Sequence, residues 1–194
     1  LWTWGKADAG QLGNGQDSTP ASSPIQIGSL TNWYIIDGGG PHWNAVKTDG
    51  TLWAWGQGTA GELGLGDTTA RFSPVQVGSL TDWKEAGCNG SVSAAIKTDG
   101  TLWTWGDNGT GGLGHGGTTS VSSPVQVGSA TDWQHVIIAE GDWAFVMKTN
   151  GALYYSGTVV GHSNVSTFTQ VGSETGFVDA ISTKSQGIVA WKEA

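Results

Sequence analysis

The chain has 194 residues, among them 33 Gly and 12 Trp, while charged residues make up only 12%. Its formal net charge of −8 and the lack of any Lys/Arg cluster exclude a basic surface of the kind that binds nucleic acid. No apolar run is long enough to cross a bilayer, and a single cysteine, Cys88, leaves no intramolecular disulfide to form.

One pentapeptide recurs along the chain at a period of about 50 residues. It stands as LWTWG at 1–5, LWAWG at 52–56, LWTWG at 102–106 and, diverged, LYYSG at 153–157. A fixed period of this length indicates one supersecondary unit copied several times, each copy needing its neighbours to bury its apolar face. The chain therefore divides into four units of a single repeat array: 1–47, 48–97, 98–148 and 149–194.

The elements of one unit follow in the same order in each copy. A Leu-Trp-x-Trp strand is followed by a Gly-rich loop, and then by a short strand that opens with Ser-Pro, 73–78 in the second copy. Another strand opens at Trp83, and the next ends at Lys97. Asp-Gly or Asn-Gly then turns the chain back into the following Leu-Trp-x-Trp strand, because both residues of such a turn tolerate positive φ. The turn glycines are Gly50, Gly100 and Gly151.

Four short antiparallel strands in about 50 residues are typical of one β-propeller blade, so we predict an all-β propeller. The motifs L-W-x-W-G, G-x-L-G-x-G and S-P-V-Q-V resemble the repeat of the regulator of chromosome condensation (RCC) family, fully in three units and partly in the fourth. The resemblance implies RCC-like blades that can belong to a larger ring of about seven. It leaves the function open, since the family includes exchange factors, photoreceptors and enzyme inhibitors. The basic surface of the exchange factors and the Gly-Trp-Arg-His-Thr motif of the photoreceptors are both missing from this sequence.

Most of the tryptophans are fixed by the repeat, and we expect their rings to fill the space between neighbouring blades. These structural positions are Trp2, Trp4, Trp53, Trp55, Trp103, Trp105, Trp33, Trp83 and Trp133. The repeat does not demand the remaining three. Candidate partner-binding residues are therefore Trp43, Trp143 and Trp191, together with Tyr154 and Tyr155 of the diverged copy.

The polar residues predict no catalytic, cofactor or metal site. The histidines His42, His115, His135 and His162 share no metal-ligand spacing with one another, with Cys88 or with a carboxylate. We expect His42 to make a structural hydrogen bond, and we find no pairing of His with Glu that would mark a catalytic channel mouth. Asp17 and Asp67 open loops that lack the alternating oxygen ligands and terminal Glu of a calcium loop.

The sequence favours a non-enzymatic binding scaffold. Its acidic, Cys-poor array suits a surface-exposed assembly or adhesion protein of a phage tail or cell envelope, at an extracellular or virion surface. A lectin-like propeller that stacks exposed Trp and Tyr on glycans is one alternative, and an intracellular protein-interaction or exchange-factor propeller is another. The expected partners are a protein, identical subunits or a glycan, with no nucleic acid and no membrane insertion.

The fourth unit and the chain ends depart from the pattern. The fourth unit has lost the Gly-x-Leu-Gly loop, and Thr167-Phe168 replaces Ser-Pro, which predicts a capping role or, alternatively, a variant binding face.

The chain starts at Leu1 with an L-W-x-W strand lacking its hairpin partner, and the strand at 189–192 lacks the strand that would follow it. We expect the two edges to continue into further chain, with pairing between copies or within one copy as the other possibilities.

Overall fold

A computed structural model describes residues 1–16, 19–138, 143–158, 164–182 and 188–192. Asp17 and His162 lie outside the described residues. Within those ranges the chain forms strands, turns and loops, and no helix that could span a membrane. The strands are β1 (Trp2–Gly5), β2 (Ala21–Gln26), β3 (Trp33–Asp37), β4 (His42–Lys47), β5 (Leu52–Gly56), β6 (Arg71–Gln76), β7 (Trp83–Asn89), β8 (Val92–Lys97), β9 (Leu102–Gly106), β10 (Val121–Gln126), β11 (Trp133–Ile138), β12 (Ala144–Lys148), β13 (Leu153–Gly157), β14 (Val165–Gln170), β15 (Asp179–Ser182) and β16 (Ile188–Trp191).

The strands form antiparallel sheets in chain order, which confirms the predicted all-β propeller of four-stranded blades. Three sheets are complete: β3 to β6, β7 to β10 and β11 to β14. Within the described residues β1 pairs with β2 alone, and β15 pairs with β16 alone. The first strand of each sheet packs against the first strand of the next, so β3, β7, β11 and β15 form the inner face.

Each blade is held by a lysine placed between two aromatic rings. In the first complete blade Lys47 Nζ lies 4.6 Å from the ring centre of Trp33 and 3.5 Å from that of Trp53. The three residues stand on β3, β4 and β5, so this lysine cage ties three strands together. The same cage recurs in the next two blades, as Lys97 with Trp83 and Trp103, and as Lys148 with Trp133 and Tyr154.

The Asp-Gly turn fixes the first Trp of each Leu-Trp-x-Trp strand. Asp49 Oδ1 accepts hydrogen bonds from the Thr51 backbone N–H (3.1 Å) and hydroxyl (2.6 Å), and the Thr51 hydroxyl accepts from Trp53 Nε1 at 2.8 Å. Gly50 has φ 77°, and a Cβ there would lie 2.0 Å from the carbonyl oxygen of Thr81. A side chain at this turn would therefore separate it from the next blade.

The second Trp of each Leu-Trp-x-Trp strand joins neighbouring blades. Trp55 is 0% exposed, and its indole N–H donates to the carbonyl of Gln11 in the preceding Gly-rich loop at 3.1 Å. Trp105 makes the same bond to the Glu62 carbonyl at 2.8 Å. Burying an indole with its N–H satisfied joins apolar packing to a specific hydrogen bond.

The diverged fourth copy keeps this junction with different residues. Ser156 stands where the other copies have the second Trp, and its hydroxyl donates to the carbonyl of Gly112 at 2.6 Å. A Cβ on Gly114 would lie 2.5 Å from the Phe168 ring, whereas at the equivalent Gly64 it would lie 2.8 Å from Trp105. Phe168 therefore supplies the ring that Ser156 lacks, which explains why Ser-Pro and the second Trp are lost together.

His42 is a buried link between units, in keeping with its expected structural role. Its Nε2 lies 2.8 Å from Ser93 Oγ, and that hydroxyl donates to the Glu62 carbonyl at 2.8 Å. Because the hydroxyl proton goes to Glu62, the His42 Nε2–H donates to Ser93. Burial lowers the pKa of His42 to about 4, so the ring is neutral at pH 7.

Trp55→Ala should lower the free energy of unfolding by about 3–5 kcal/mol, because it opens a cavity and removes a satisfied N–H. Trp4→Ala is the matched control: Trp4 is 61% exposed, so the change should stay within about 1 kcal/mol. Urea denaturation of both variants provides the measurement. An unchanged midpoint for Trp55→Ala would contradict its packing role.

His42 should make the protein less stable in acid. Between pH 6.5 and about 4 the unfolded chain protonates this ring while the folded chain does not, so stability should fall as the pH falls through that window. The full effect is about 3 kcal/mol. Melting temperatures from pH 4 to 7 should show a shallower slope for His42→Gln than for the wild type, and equal slopes would refute the assignment.

Candidate functional site

The inner face carries side chains whose chemistry differs between the repeats. The Leu-Trp-x-Trp strands β5 and β9 carry almost the same sequence, whereas equivalent positions on the inner strands do not. One such position holds Ile35, Glu85 and His135 in successive blades, and another holds Asp37, Gly87 and Ile137. In repeat proteins an unvarying frame with one varied face is typical of a recognition surface.

These inner residues line a groove of about 440 Å³, the inner-strand groove. Its polar groups are the carboxylates of Asp37 and Glu85 and the imidazole of His135, and aliphatic side chains form the rest of its wall. The groove thus combines apolar surface with a few fixed polar groups, as small binding sites do.

Glu85 and His135 form a pair across two blades. Glu85 Oε2 lies 3.3 Å from His135 Nδ1, and Glu85 Oε1 accepts a hydrogen bond from the Val136 backbone N–H at 3.0 Å. The hydrogen bond to Glu85 raises the pKa of His135, against a smaller opposing effect of burial. The carboxylate therefore orients the imidazole while it also holds strand β11.

Asp37 makes the corresponding contact one blade earlier. Its Oδ2 accepts from the Cys88 backbone N–H at 3.1 Å, and a Cβ on Gly87 would lie only 3.0 Å from this oxygen. Burial raises the pKa of Asp37, and the charge of Glu85 adds to the effect. The two carboxylates satisfy N–H groups on the free edges of inner strands, which would otherwise be open to strand pairing.

The titratable groups of this groove are two carboxylates and one imidazole. A Glu–His pair can act as a general base, but no hydroxyl, thiol or amine lines this groove among the described residues. Cys88 is buried beside it, and burial raises the pKa of its thiol well above the usual value. The described residues also contain no group of three or more side chains that could hold a metal ion.

The structure places the five candidate partner-binding residues in different environments. Trp191 is 44% exposed, and Trp43 is half-buried with its ring stacked on Trp55 at 6.4 Å. Trp143 is 2% exposed and packs edge-on against Phe145, and Tyr155 is buried as well. Tyr154 belongs to the cage of Lys148. The expectation of a binding role therefore differs from the structure at Trp143 and Tyr155, whose rings are enclosed by the core.

The repeat-fixed tryptophans also divide into two groups. Trp83, Trp105 and Trp133 are buried like Trp55, and Trp33, Trp53 and Trp103 are half-buried in the cages. Trp2 and Trp4 depart from the expected packing, since they are 57% and 61% exposed. They stand on β1, which has only β2 beside it in the described residues, so no neighbouring strand covers their rings.

The Glu85–His135 pair is a contact between His and Glu that the search for short motifs did not find. The two residues occupy the same position of successive repeats, and adjacent inner strands bring such positions together. Aligning the inner strands, rather than searching for short motifs, is the signal that reveals the pair.

Glu85→Gln should lower the pKa of His135, because it replaces the negative charge that stabilises the imidazolium. The folded-state pKa lies above the unfolded value, so the pair's stabilisation is present below pH 6.5 and is lost as pH rises through the folded pKa. NMR titration of the imidazole measures the shift. The remote exposed carboxylate Glu174, changed to Gln, should leave it unaltered, and an unchanged pKa in Glu85→Gln would contradict the pairing.

Comparison with known proteins gives one consistent family match. A family model of the regulator of chromosome condensation (RCC1) repeat matches residues 1–42, 49–96 and 99–141. The human probable E3 ubiquitin-protein ligase HERC3 is 38% identical over 69 residues, which are 34% of this chain and 7% of that protein. Human protein RCC2 is 37% identical over 71 residues, 36% of this chain and 13% of that protein.

Solved structures agree on the fold. The crystal structure of human WBSCR16 covers 100% of this chain, with a TM-score of 0.85 and 19% identity. Yeast RCC1 (Prp20) bound to Kap60 covers 93%, with a TM-score of 0.75 and 18% identity. The chain spans 53% and 47% of the lengths of those two proteins.

Proposed function

Because this chain belongs to the RCC1 repeat family, we propose that it is a non-catalytic protein-binding scaffold that contacts its partner through the inner-strand groove. The observation that carries the proposal is the groove itself, in which Asp37, Glu85 and His135 vary between repeats on an otherwise repeated frame. Groups fixed on rigid strands lose little freedom on binding, which favours recognition.

The relatives support the protein-interaction alternative over surface assembly or adhesion. The yeast structure is of RCC1 (Prp20) bound to Kap60, and a second structure of yeast Prp20p, at 19% identity, is described with its binding to Gsp1p and histones. The ligase named in HERC3 belongs to a protein of which this chain covers 7%, so we do not extend that activity to this chain. Glycan binding through exposed Trp and Tyr and an extracellular or virion location stay predictions from the sequence.

Biolayer interferometry with purified Kap60, Gsp1p and histones tests the proposal. The wild type should bind at least one of them, and Glu85→Gln/His135→Gln should weaken that binding about tenfold or more, since a few contact residues carry most of the binding energy of an interface and this variant removes the charged groups of the groove. Glu174→Gln/Lys192→Gln is the matched control. It removes an exposed ion pair outside the groove, whose charged atoms are 2.8 Å apart, and it should change the binding little.

Two results would contradict this function. One is no binding to any of the three proteins at micromolar concentration. The other is a complex whose affinity the groove variant and the control variant leave equally unchanged, because the contact would then lie elsewhere.

A further inference from the structure

Two lysines stand apart from the other cations of this acidic chain. Among the described residues, five Lys and Arg side chains pair with a carboxylate: Lys6 with Asp8, Arg71 with Asp67, Lys97 with Asp82, Lys148 with Asp132 and Lys192 with Glu174. Lys47 and Lys84, also in the described part of the chain, have no such partner, and both line one groove of about 450 Å³, the lysine groove.

A single difference between repeats leaves Lys47 unpaired. The cage lysines of the next two blades contact Asp82 at 3.3 Å and Asp132 at 3.0 Å, whereas Asn32 stands at the equivalent position beside Lys47. Lys47 is 4% exposed, and burial lowers its pKa. The charge of Asp49 opposes this lowering only in part and makes no ion pair with Lys47, and a bound anion would offset more of the cost of burying the ammonium.

The lysine groove supplies further groups around this cation. Lys84 is exposed in the same groove, and so is the Tyr34 ring. The one carboxylate in the groove is Asp49, whose oxygens already accept from Thr51 and, at 3.4 Å, from Asn32 Nδ2. In the next blade Gln134 replaces Lys84, so the pair of free lysines belongs to this groove alone among the described blades.

We propose that the lysine groove binds a carboxylate side chain from an acidic segment of a partner protein, which supplies Lys47 and Lys84 with the counter-charge that Asp82 and Asp132 give to the cage lysines of the sister blades. The sister cages favour a carboxylate over a phosphate, since each seats a carboxylate oxygen within 3.3 Å of its lysine. Asp49 also repels a doubly charged group more than a singly charged one. The lysine groove shares no lining residue with the inner-strand groove, so a failure of this proposal would not contradict the function proposed above.

Isothermal titration at low salt tests this with an N-acetylated, C-amidated Asp/Glu hexapeptide and its Asn/Gln counterpart. Three variants each lower the net charge by one: Asn32→Asp, which supplies the missing carboxylate to Lys47, Lys84→Gln, and Lys6→Gln as a control far from the groove. The wild type should bind one acidic peptide and not the neutral one. Asn32→Asp and Lys84→Gln should each weaken binding about tenfold, and Lys6→Gln should change it less than about twofold.

Several outcomes would overturn the proposal. They are equal binding of the neutral peptide, no binding of the acidic peptide up to millimolar concentration, or equal weakening in all three variants, which would show a bulk charge effect. Inorganic phosphate that binds more tightly than the peptide would assign the groove to a phosphate instead. Asn32→Asp should raise the melting temperature of the protein. If this variant is instead less stable than the wild type, peptide binding by Lys84→Gln, which changes an exposed residue, tests the proposal.

Discussion

The structure depends on a lysine ammonium held between two aromatic rings in every complete blade. A blade of four short strands has a thin apolar core, and Lys47 fills the space between Trp33 and Trp53 with a stem that packs and a charge that both rings attract. When such a cation is desolvated, the attraction is worth about 2 kcal/mol. Because the three residues come from three successive strands, one contact fixes the relative position of the whole inner part of a blade.

Neighbouring blades are joined by different kinds of contact on their inner strands and on their Leu-Trp-x-Trp strands. Toward the outside, Trp55 and Trp105 reach back to carbonyls of the preceding Gly-rich loop. Toward the inside, Asp37 and Glu85 accept N–H groups from the next inner strand. The neighbouring sheets are thus joined by side chains and by separate backbone hydrogen bonds, such as that from the Trp83 N–H to the Gly50 carbonyl at 3.1 Å, and not by a continuous ladder. This arrangement protects the sheet edges and leaves the exposed groups of the inner strands free to vary.

Charge is distributed unevenly over this frame. Most described cations pair with a carboxylate of the chain, the inner-strand groove carries two carboxylates, and the lysine groove carries two lysines without such a partner. Two surfaces of opposite character on one rigid array suit a scaffold that distinguishes partners by charge as well as by shape. The family provides the fold for such a role, and the side chains of this chain decide its partners.

The repeated motifs by themselves determined the strands, the Asp-Gly turns, the propeller and the burial of Trp55 and Trp105, because these features depend on local pattern and on one repeat meeting an identical one. Only the tertiary structure decided which side chains are accessible and which of them meet. Trp143 and Tyr155 are enclosed, Trp2 and Trp4 are exposed, Glu85 meets His135, and Lys47 lacks a partner. Each of these depends on a neighbour about 50 residues away or on the strand beside it, and no pattern within one repeat records what the adjacent blade places against it.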